Sequence, residues 1–517
     1  MNGGTSSSPK VSVVVPAYNC GSHMEKLVDS LLRQSMPAAQ FEAVFVDDGS
    51  TDDTPARLDA LAAAHPHFRV VHIENSGWPS RPRNVGVAHS RGEYVMFVDD
   101  DDWLGDEALE RMYDCAVTHG ADVLIGRMAG HGRGVPRELF RRNRFDATLA
   151  NSPLIDSLTC HKMFRRAFLD EHDLRFPEEW PRRLEDHRMV VRAYLLSKKT
   201  CVLSDYTCYH HTRRDNGGNV TARLLDPTEY YAALRESLDI VDAHVEPGPL
   251  RDRLYRRWLR HQMLDRLRGR RMLDAPPEWI EQVAAEIRDI LRERFGPGVA
   301  AGLPPTYRVV AHFAEGGRMA DLRRFAGWEA GTTAAARVER CALDGATLNL
   351  TVAGWLESDG RPVAVRRGDD RDLLVLPVED VPPDLRDVTA ALDRGRLDVV
   401  ARRQGSNDEV FLPADTTTER VAGPHGTSHA VYRAAVAVDF RTVNGGRTAG
   451  TWRLKVRVNS AGWVRDVPLP LLVRCAADGA PPRLLDENAF FPRLRRAVRQ
   501  RVPVGLAAFL APGRRGG

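Results

Sequence analysis

Long hydrophobic runs are missing from this 517-residue chain. No stretch approaches the roughly 20 apolar residues that a bilayer-spanning helix needs. Met1 to Lys10 is polar and Gly/Ser-rich, with no apolar segment ahead of a cleavage site, so no signal peptide is expected there. Cysteine is scarce: seven residues, at 20, 115, 160, 201, 208, 341 and 475, with no CxxC spacing. Few, odd-numbered cysteines fit reduced thiols and exclude the common zinc ribbons. A cytoplasmic location is expected, with contact at the inner membrane face left open. A charge excess is also lacking, since 73 Lys+Arg against 70 Asp+Glu leave a formal +3. The chain is therefore no polycation, nucleic acid is not an expected partner, and any anionic partner must meet a local basic patch. There is no GxGxxG after the first strand, no Walker loop and no repeat at solenoid period. Gly130-His131-Gly132-Arg133-Gly134 lacks the fingerprint spacing and reads as a loop.

What is present begins with alternating strands and helices. Residues 11–16 (VSVVVP) are an apolar, β-branched run ending at proline, which predicts a buried strand. Ser22 with Glu25 forms a capping-box pattern, and Met24, Leu27, Val28 and Leu31 recur at helical spacing up to about Ser35. Residues 42–46 (EAVFV) predict a second strand closed by Asp47-Asp48-Gly49-Ser50, with Ser50 placed to cap the next helix. Phe68 to Ile73 is a third strand, Arg81 to Ser90 a helix, and 94–98 (YVMFV) a fourth strand. Asp106 and Glu107 suit the N-terminal dipole of the following helix, and Ala121 to Ile125 is one more strand. Such alternation predicts an α/β domain with a mostly parallel sheet and helices on both faces. From about Thr228 helical patterns punctuated by Pro247, Pro249, Pro276, Pro277 and Pro304 take over. From about Val338 the period becomes two, as in Leu348, Leu350 and Val352, or Trp452, Leu454, Val456 and Val458, which predicts an antiparallel β-sandwich ending near Cys475.

In an open parallel sheet, ligands bind beyond the carboxyl ends of the strands. Three strands here end in Pro16-Ala17-Tyr18-Asn19, Asp47-Asp48-Gly49-Ser50 and Asp99-Asp100-Asp101-Asp102, and all should meet on one edge. Four consecutive aspartates repel one another unless a cation neutralises them. Hard oxygen ligands suit Mg²⁺ or Mn²⁺, ions that also bind diphosphate. A solvated acidic loop capping a helix is the plainer alternative; the apolar strand before the run and the VDDGS on another strand argue against it.

These segments carry a resemblance. VSVVVPAYN, VDDGSTD and SRPRNVGVAHSRGEYVMFVDDDDW, in that order, resemble the nucleotide-sugar-binding half of family 2 glycosyltransferases with the GT-A fold, over about residues 10–220. NSGWPSRPRN, HKMFRR, LEDH and CYHHTRRDNGGNVT further resemble the wall teichoic acid, or poly(ribitol phosphate), N-acetylglucosaminyltransferases. The resemblance implies a GT-A catalytic domain at 10–227, a helical linker at 228–335, a β-sandwich at 336–476 and a basic tail at 477–517. It implies that Pro16, Ala17 and Tyr18 line a uracil pocket, that Asp48 accepts from uracil or ribose, and that Asn75 and Arg83 hold the nucleotide and its phosphates. Asp99, Asp100 and Asp101 match the aspartate–any–aspartate motif, with Asp99 and Asp100 on the donor and Asp101 on the metal. Asp100 departs from the Ser or Ala common in the middle. Glu185-Asp186 matches the acidic pair, and Asp186 is taken as the catalytic base. His210 is expected near the donor diphosphate, ligating the metal or donating to phosphate, with a structural histidine as the alternative; His211 is less specific. Arg213 and Arg214 hold phosphate, donor or acceptor, or form a solvated face.

The implied activity is inverting, metal-dependent (Mn²⁺ or Mg²⁺) transfer of a sugar, N-acetylglucosamine from its UDP ester, onto an anionic wall glycopolymer. A transferase of capsule, exopolysaccharide or glycolipid synthesis and a silent polymer-binding protein are the rivals. Residues 251–271 hold nine Arg against two Asp around an apolar row of Tyr255, Leu259, Met263 and Leu267. They read either as a solvated helix or as a track for the polymer. The tail from Arg493 has seven Arg and no acid, suiting an anionic membrane surface or disorder. Relatives of this kind assemble through C-terminal domains, so a homo-oligomer is compatible with the sequence. Asn219-Val220-Thr221 is a glycosylation sequon by letters only.

Overall fold

The computed structural model describes residues 8–213, 225–368 and 370–486. Arg214, the sequon and the basic tail beyond Asp486 lie outside these residues, while Arg483–Asp486 forms a strand paired with Trp463–Cys475. The chain divides into two units: one holds the described residues through Thr332 with Arg366–Ala391, the other Thr333–Val365 and the described residues from Leu392. The segment Arg366–Ala391 falls inside the span expected for the sandwich, yet it belongs to the first unit.

The first unit is built on nine strands: β1 Val11–Ala17, β2 Phe41–Asp47, β3 Phe68–His72, β4 Tyr94–Phe97, β5 Trp103–Leu104, β6 Val123–His131, β7 Arg144–Ala147, β8 Met163–Arg165 and β9 Thr200–Thr212. Six helices are interleaved: α1 Met24–Leu32, α2 Thr54–Ala64, α3 Ser80–His89, α4 Ala108–His119, α5 Arg166–Glu171 and α6 Glu185–Leu196. The sheet order is β3-β2-β1-β4-β8-β6-β9-β5, with β7 paired to β9. β1 is parallel to β2 and β4, and β2 to β3, while β8 runs antiparallel to β4 and β6. The sheet is thus mixed, and its parallel part is the part anticipated from strand–helix alternation.

β1 lies between two neighbours, and Val11, Val13, Val14 and Val15 are completely buried. A strand covered on both faces is apolar throughout instead of alternating. Pairing with β4 stops at Val14 opposite Phe97, so Pro16 sits beyond that ladder, where a missing N–H costs least. Because β1, β2 and β4 point the same way, Tyr18-Asn19, Asp47–Ser50 and Asp99–Asp102 emerge on one edge.

The expected caps did not form. α1 starts after a short 3₁₀ turn, Gly21–His23, and no side chain caps either. Ser50 stands ahead of α2, whose N-cap is Asp53, and its Oγ instead accepts from the Asn19 N–H at 2.9 Å. The Asn19 side chain in turn accepts from the Thr51 N–H at 2.8 Å. These bonds tie the β1 and β2 loops together, a use of the same residues that local propensity does not foresee.

Seven helices follow: α7 Pro227–Asp242, α8 Pro249–Trp258, α9 Gly269–Leu273, α10 Pro277–Arg294, α11 Pro297–Ala301, α12 Pro305–Glu315 and α13 Met319–Ala330. Five of them start at a proline, which is pre-set for the first helical turn. The Arg-rich stretch is not one helix. A π turn, Leu259–Met263, and a 3₁₀ turn, Leu264–Leu267, separate α8 from α9. Its apolar row is buried as expected, but several arginines turn inward. Arg253 donates to the Ser152 carbonyl at 2.9 Å, Arg257 to the Ile155 carbonyl at 3.1 Å, and buried Arg268 to Glu329 at 3.0 Å. These three are fold contacts, which removes them from any polymer track.

The second unit pairs long antiparallel strands. Thr347–Ser358 and Asp415–Ala422 both pair with Thr427–Asp439, and Gly450–Ser460 lies between Arg396–Arg403 and Trp463–Cys475. The two sheets close on each other tightly. Buried Tyr432 and Ser460, from different sheets, share a 2.6 Å hydrogen bond, and a methyl at Gly354 would lie 2.7 Å from Leu397.

A similar close approach sets α3 on β1, where a methyl at Gly86 would lie 2.3 Å from Cγ1 of fully buried Val14. Gly86→Ala should destabilise the first unit by about 1–3 kcal/mol, since overpacking outweighs the helix propensity gained. Urea unfolding checks this; an unchanged midpoint would refute the packing argument.

Candidate active site

The three loop ends form the floor. Asp48 is buried at the end of β2, and its carboxylate accepts from the Ser76 N–H at 2.9 Å and the Ser76 hydroxyl at 3.0 Å. Asn75 donates to the Asp48 carbonyl at 2.8 Å. Asp48 and Asn75 therefore meet, and together they pin the NSGW segment over the end of the sheet. Burial pushes the Asp48 carboxyl up, against the lowering effect of the Ser76 bonds. Gly49 is needed here: its φ is +67°, and a Cβ would come within 2.7 Å of the Asn75 nitrogen. Pro16 and Ala17 end β1, and the Tyr18 ring beside them stays half-exposed.

The aspartate run folds into a turn closed by the Asp102 N–H donating to the Asp99 carbonyl at 3.1 Å. The turn gathers Asp99, Asp101 and Asp102, whose carboxylate oxygens can lie within 4.8 Å of one another. Asp100 is buried apart from that group. Asp102, which the three-residue motif left out, is fully buried; it accepts from the Tyr209 hydroxyl and the Thr212 N–H, both at 2.6 Å. Burial, then Asp99 and Asp101, push its carboxyl well above the usual range.

Arg83, expected to hold the nucleotide and its phosphates, is 3% exposed and packs against the carboxylates. One guanidinium donates to Asp99 at 2.9 Å, to Asp186 at 3.0 Å and to Glu185 at 3.3 Å. This joins the aspartate turn to the acidic pair, which begins 102 positions beyond Arg83. Burial works to raise the Asp99 carboxyl, but His161 and Arg83 more than offset it and hold it well below the usual range. Glu185 is pushed up to about 7 by burial and by Asp186, against the opposing pull of Arg83. Asp186 also accepts from the Cys160 N–H at 3.3 Å.

His210 and His211 alternate on β9 and face opposite ways. His210 stacks on Trp103, with ring centroids 4.9 Å apart, and contacts His131 at 3.1 Å. His211 is the one that groups with Asp102 and His161. His210 is the histidine that the resemblance put near the metal or the diphosphate; among the described residues, the histidines that group with an aspartate as possible ligands are His161 and His211. Burial, with His161 and Arg133 nearby, pushes His211 down to about 2, which keeps it neutral as a ligand must be. His161 contacts Asp99 through Nε2 at 3.1 Å, while its Nδ1 is buried without a hydrogen-bond partner. Carboxylates with neutral imidazole, including one orphaned ring nitrogen, fit a divalent cation. His161 sits in the HKMF segment, whose only sequence signal was a histidine inside a motif of no assigned role. Arg213 ends β9 and donates its backbone N–H to the His131 carbonyl at 3.0 Å.

Comparison with known proteins agrees with this geometry. Residues 12–174 match the model for glycosyl transferase family 2, and residues 227–326 match that of the glycosyl transferase TarS linker domain. Residues 12–174 thus form a glycosyltransferase family 2 domain. It is similar to the poly(ribitol-phosphate) beta-N-acetylglucosaminyltransferase TarS of Staphylococcus aureus, 34% identical over 288 residues, covering 54% of this chain and 50% of that one. It is similar to a poly(ribitol-phosphate) beta-glucosyltransferase of Bacillus spizizenii, 35% identical over 239 residues, covering 45% of this chain and 37% of the relative. The chain thus spans half or less of the length of these two curated relatives. Among solved structures, residues 1–349 of S. aureus TarS in complex with UDP-GlcNAc superpose with a TM-score of 0.54 at 28% identity, covering 68% of this chain and 98% of that one. The GT-A fold, the helical linker and the C-terminal antiparallel sheets all appear as the resemblance implied. No helix of the described residues is long and apolar enough to cross a membrane.

The raised Glu185 has a stability consequence. A carboxyl whose folded value lies above its unfolded value contributes stability below the unfolded value and loses it as pH rises through the folded one. The window is therefore between the ordinary glutamate value of 4.5 and about 7. Glu185→Gln stays neutral throughout, so its melting temperature relative to wild type should rise steadily across that window. A pH-independent difference between the two would contradict the burial argument.

Proposed function

We propose that the chain is an inverting, metal-dependent glycosyltransferase that moves N-acetylglucosamine from UDP-GlcNAc onto a poly(ribitol phosphate)-like anionic polymer at the cytoplasmic side of the membrane. The observation that carries this reading is the single buried guanidinium of Arg83, which holds Asp99 on the donor side and Glu185-Asp186 on the acceptor side. The poly(ribitol phosphate) relatives, and the UDP-GlcNAc held by the TarS fragment, supply the substrate class.

The uracil and ribose lie against Pro16, Ala17, Tyr18, Asp48 and Asn75, on the loops that the Asn19–Ser50 bonds keep together. Asp99, Asp101 and Asp102, with His161 and His211, are the groups that would hold Mn²⁺ or Mg²⁺. Such an ion, when bound, supplies Lewis-acid neutralisation of the departing diphosphate. Asp186 takes the proton from the acceptor hydroxyl while that oxygen bonds to the anomeric carbon. The anomeric carbon–oxygen bond to UDP breaks on the opposite face, which inverts the configuration. Arg83 on one Asp186 oxygen and the Cys160 N–H on the other fix the angle at which the carboxylate is presented.

A second reading places the base at Glu185, favoured by its value of about 7, close to the ideal for a base at neutral pH. Asp186→Asn is expected to keep donor affinity and lose about 10²–10⁴-fold in kcat. Near-normal turnover in that variant with collapse in Glu185→Gln would move the base to Glu185. Absence of turnover by the wild type, with UDP-sugar and polymer both bound, would leave a polymer-binding protein instead.

Asp101→Ala tests the metal. It should abolish Mn²⁺-dependent binding of UDP-sugar in calorimetry. Wild-type affinity for both ligands would remove the aspartate turn from metal binding.

A further inference from the structure

We infer that Arg188 and Glu236 are positioning residues that hold the acidic pair in its working orientation, so that the helical linker takes part in the chemistry through α6. The inference rests on the proposed roles of Glu185 and Asp186. Its starting point is Leu184, the N-cap of α6, which has φ +55° and ψ +29° and no side-chain cap. A left-handed conformation at a residue with a branched side chain costs about 1–2 kcal/mol. Such a conformation persists only where its surroundings over-determine it, and it clusters at functional sites. Here it lies directly before Glu185 and Asp186.

The surroundings are specific. Arg188, one turn into α6, is 6% exposed. Its backbone N–H donates to the Leu184 carbonyl at 3.1 Å. Its guanidinium donates to the Pro181 carbonyl at 2.5 Å and to the Arg183 carbonyl at 3.0 Å, the two sides of the turn that feeds Leu184. The same guanidinium pairs with Glu236 on α7. A second α7 carboxylate, Glu229, accepts from the Arg182 N–H at 3.2 Å. Between them, His187 accepts at Nδ1 from the indole N–H of fully buried Trp258 on α8, at 3.3 Å. Burial, with Arg257, Lys162 and His261 around it, pushes His187 well down, which leaves that nitrogen free to accept.

Three consecutive residues therefore divide their duties. Asp186 faces Arg83, while His187 and Arg188 are held by the linker. Glu236 orients the Arg188 fork, the fork fixes the carbonyls of the strained turn, and the turn sets the direction of the two carboxylates. None of these residues need touch substrate.

The test is kinetic. Glu236→Ala should lower kcat by about 10–100-fold, the scale of a small misplacement of a reacting group, with donor affinity by calorimetry unchanged within about twofold. Glu236→Gln, which keeps an acceptor oxygen, should restore most of the rate. In an Asp186→Asn background the Glu236→Ala change should cost almost nothing, because it acts through the group already removed. If Glu236→Ala does not fold, Arg188→Lys replaces it with the same expected split, since an ammonium cannot hold both carbonyls and Glu236 in a fixed fork. Wild-type kcat in these variants, or an equal loss in both backgrounds, would overturn the inference. Should Asp186→Asn itself keep turnover, the base assignment fails, and the same comparison is read in Glu185→Gln.

Discussion

Everything in the catalytic half is arranged around one buried cation. The Arg83 guanidinium is surrounded by Asp99, Glu185 and Asp186. Breaking a buried pair by removing one partner costs about 3–5 kcal/mol, because the other charge is left stranded. The end of β4, the helix α3 that carries Arg83 and the start of α6 are therefore locked to one another. None of the three can shift without exposing an uncompensated charge. Together with His161, the pairing with Arg83 also explains why the partly buried Asp99 carboxyl stays well below the usual range.

The fold supplies the frame for that lock through backbone direction. Parallel β1, β2 and β4 deliver their carboxyl ends to one edge, and the loop bonds between Asn19, Ser50 and Thr51 keep two of those ends in register. α3 approaches β1 closely because position 86 has no side chain, and this brings Arg83, one turn earlier on the same helix, down into the carboxylates. Close packing and electrostatics thus depend on each other: the glycine lets the helix in, and the ion pairs hold it there.

How much of this was legible in the sequence follows from the range of the interactions involved. The strand ends and the aspartate run are local patterns, and the parallel strands bring them to the one edge expected, whereas the acidic pair was found through the resemblance alone. The partners of Arg83 are separated from it by 16, 102 and 103 positions, so the ion pairs that tie it to the carboxylates carry no local sequence signal. The choice between His210 and His211 depends on the phase of β9. Its pairing with β6 slips in register around Arg127, so counting alternate residues along the strand does not give the face. Ser22 and Ser50 had the right composition for helix caps, but tertiary bonds displaced the local ones. Arg253 and Arg257 read as part of a charged face because their acceptors are the main-chain carbonyls of Ser152 and Ile155, which carry no sequence signal at all.

The two acidic groups of the site are balanced in different ways, and the difference fits the chemistry proposed for each. Glu185 and Asp186 face a covalently attached cation of fixed direction. A base has to meet a succession of acceptor hydroxyls at the same angle, so its counter-charge should not leave. Asp101 and Asp102 lie on the far side of Asp99, where burial and mutual repulsion push Asp102 well above the usual carboxylate range. A divalent ion there would reverse the sign of that effect, since the charge of a bound metal outweighs the repulsion between its ligands. An exchangeable ion suits this side because the diphosphate it meets must depart after each turnover. Arg83, touching Asp99 on one side and the acidic pair on the other, keeps the permanent and the exchangeable charges at a constant separation.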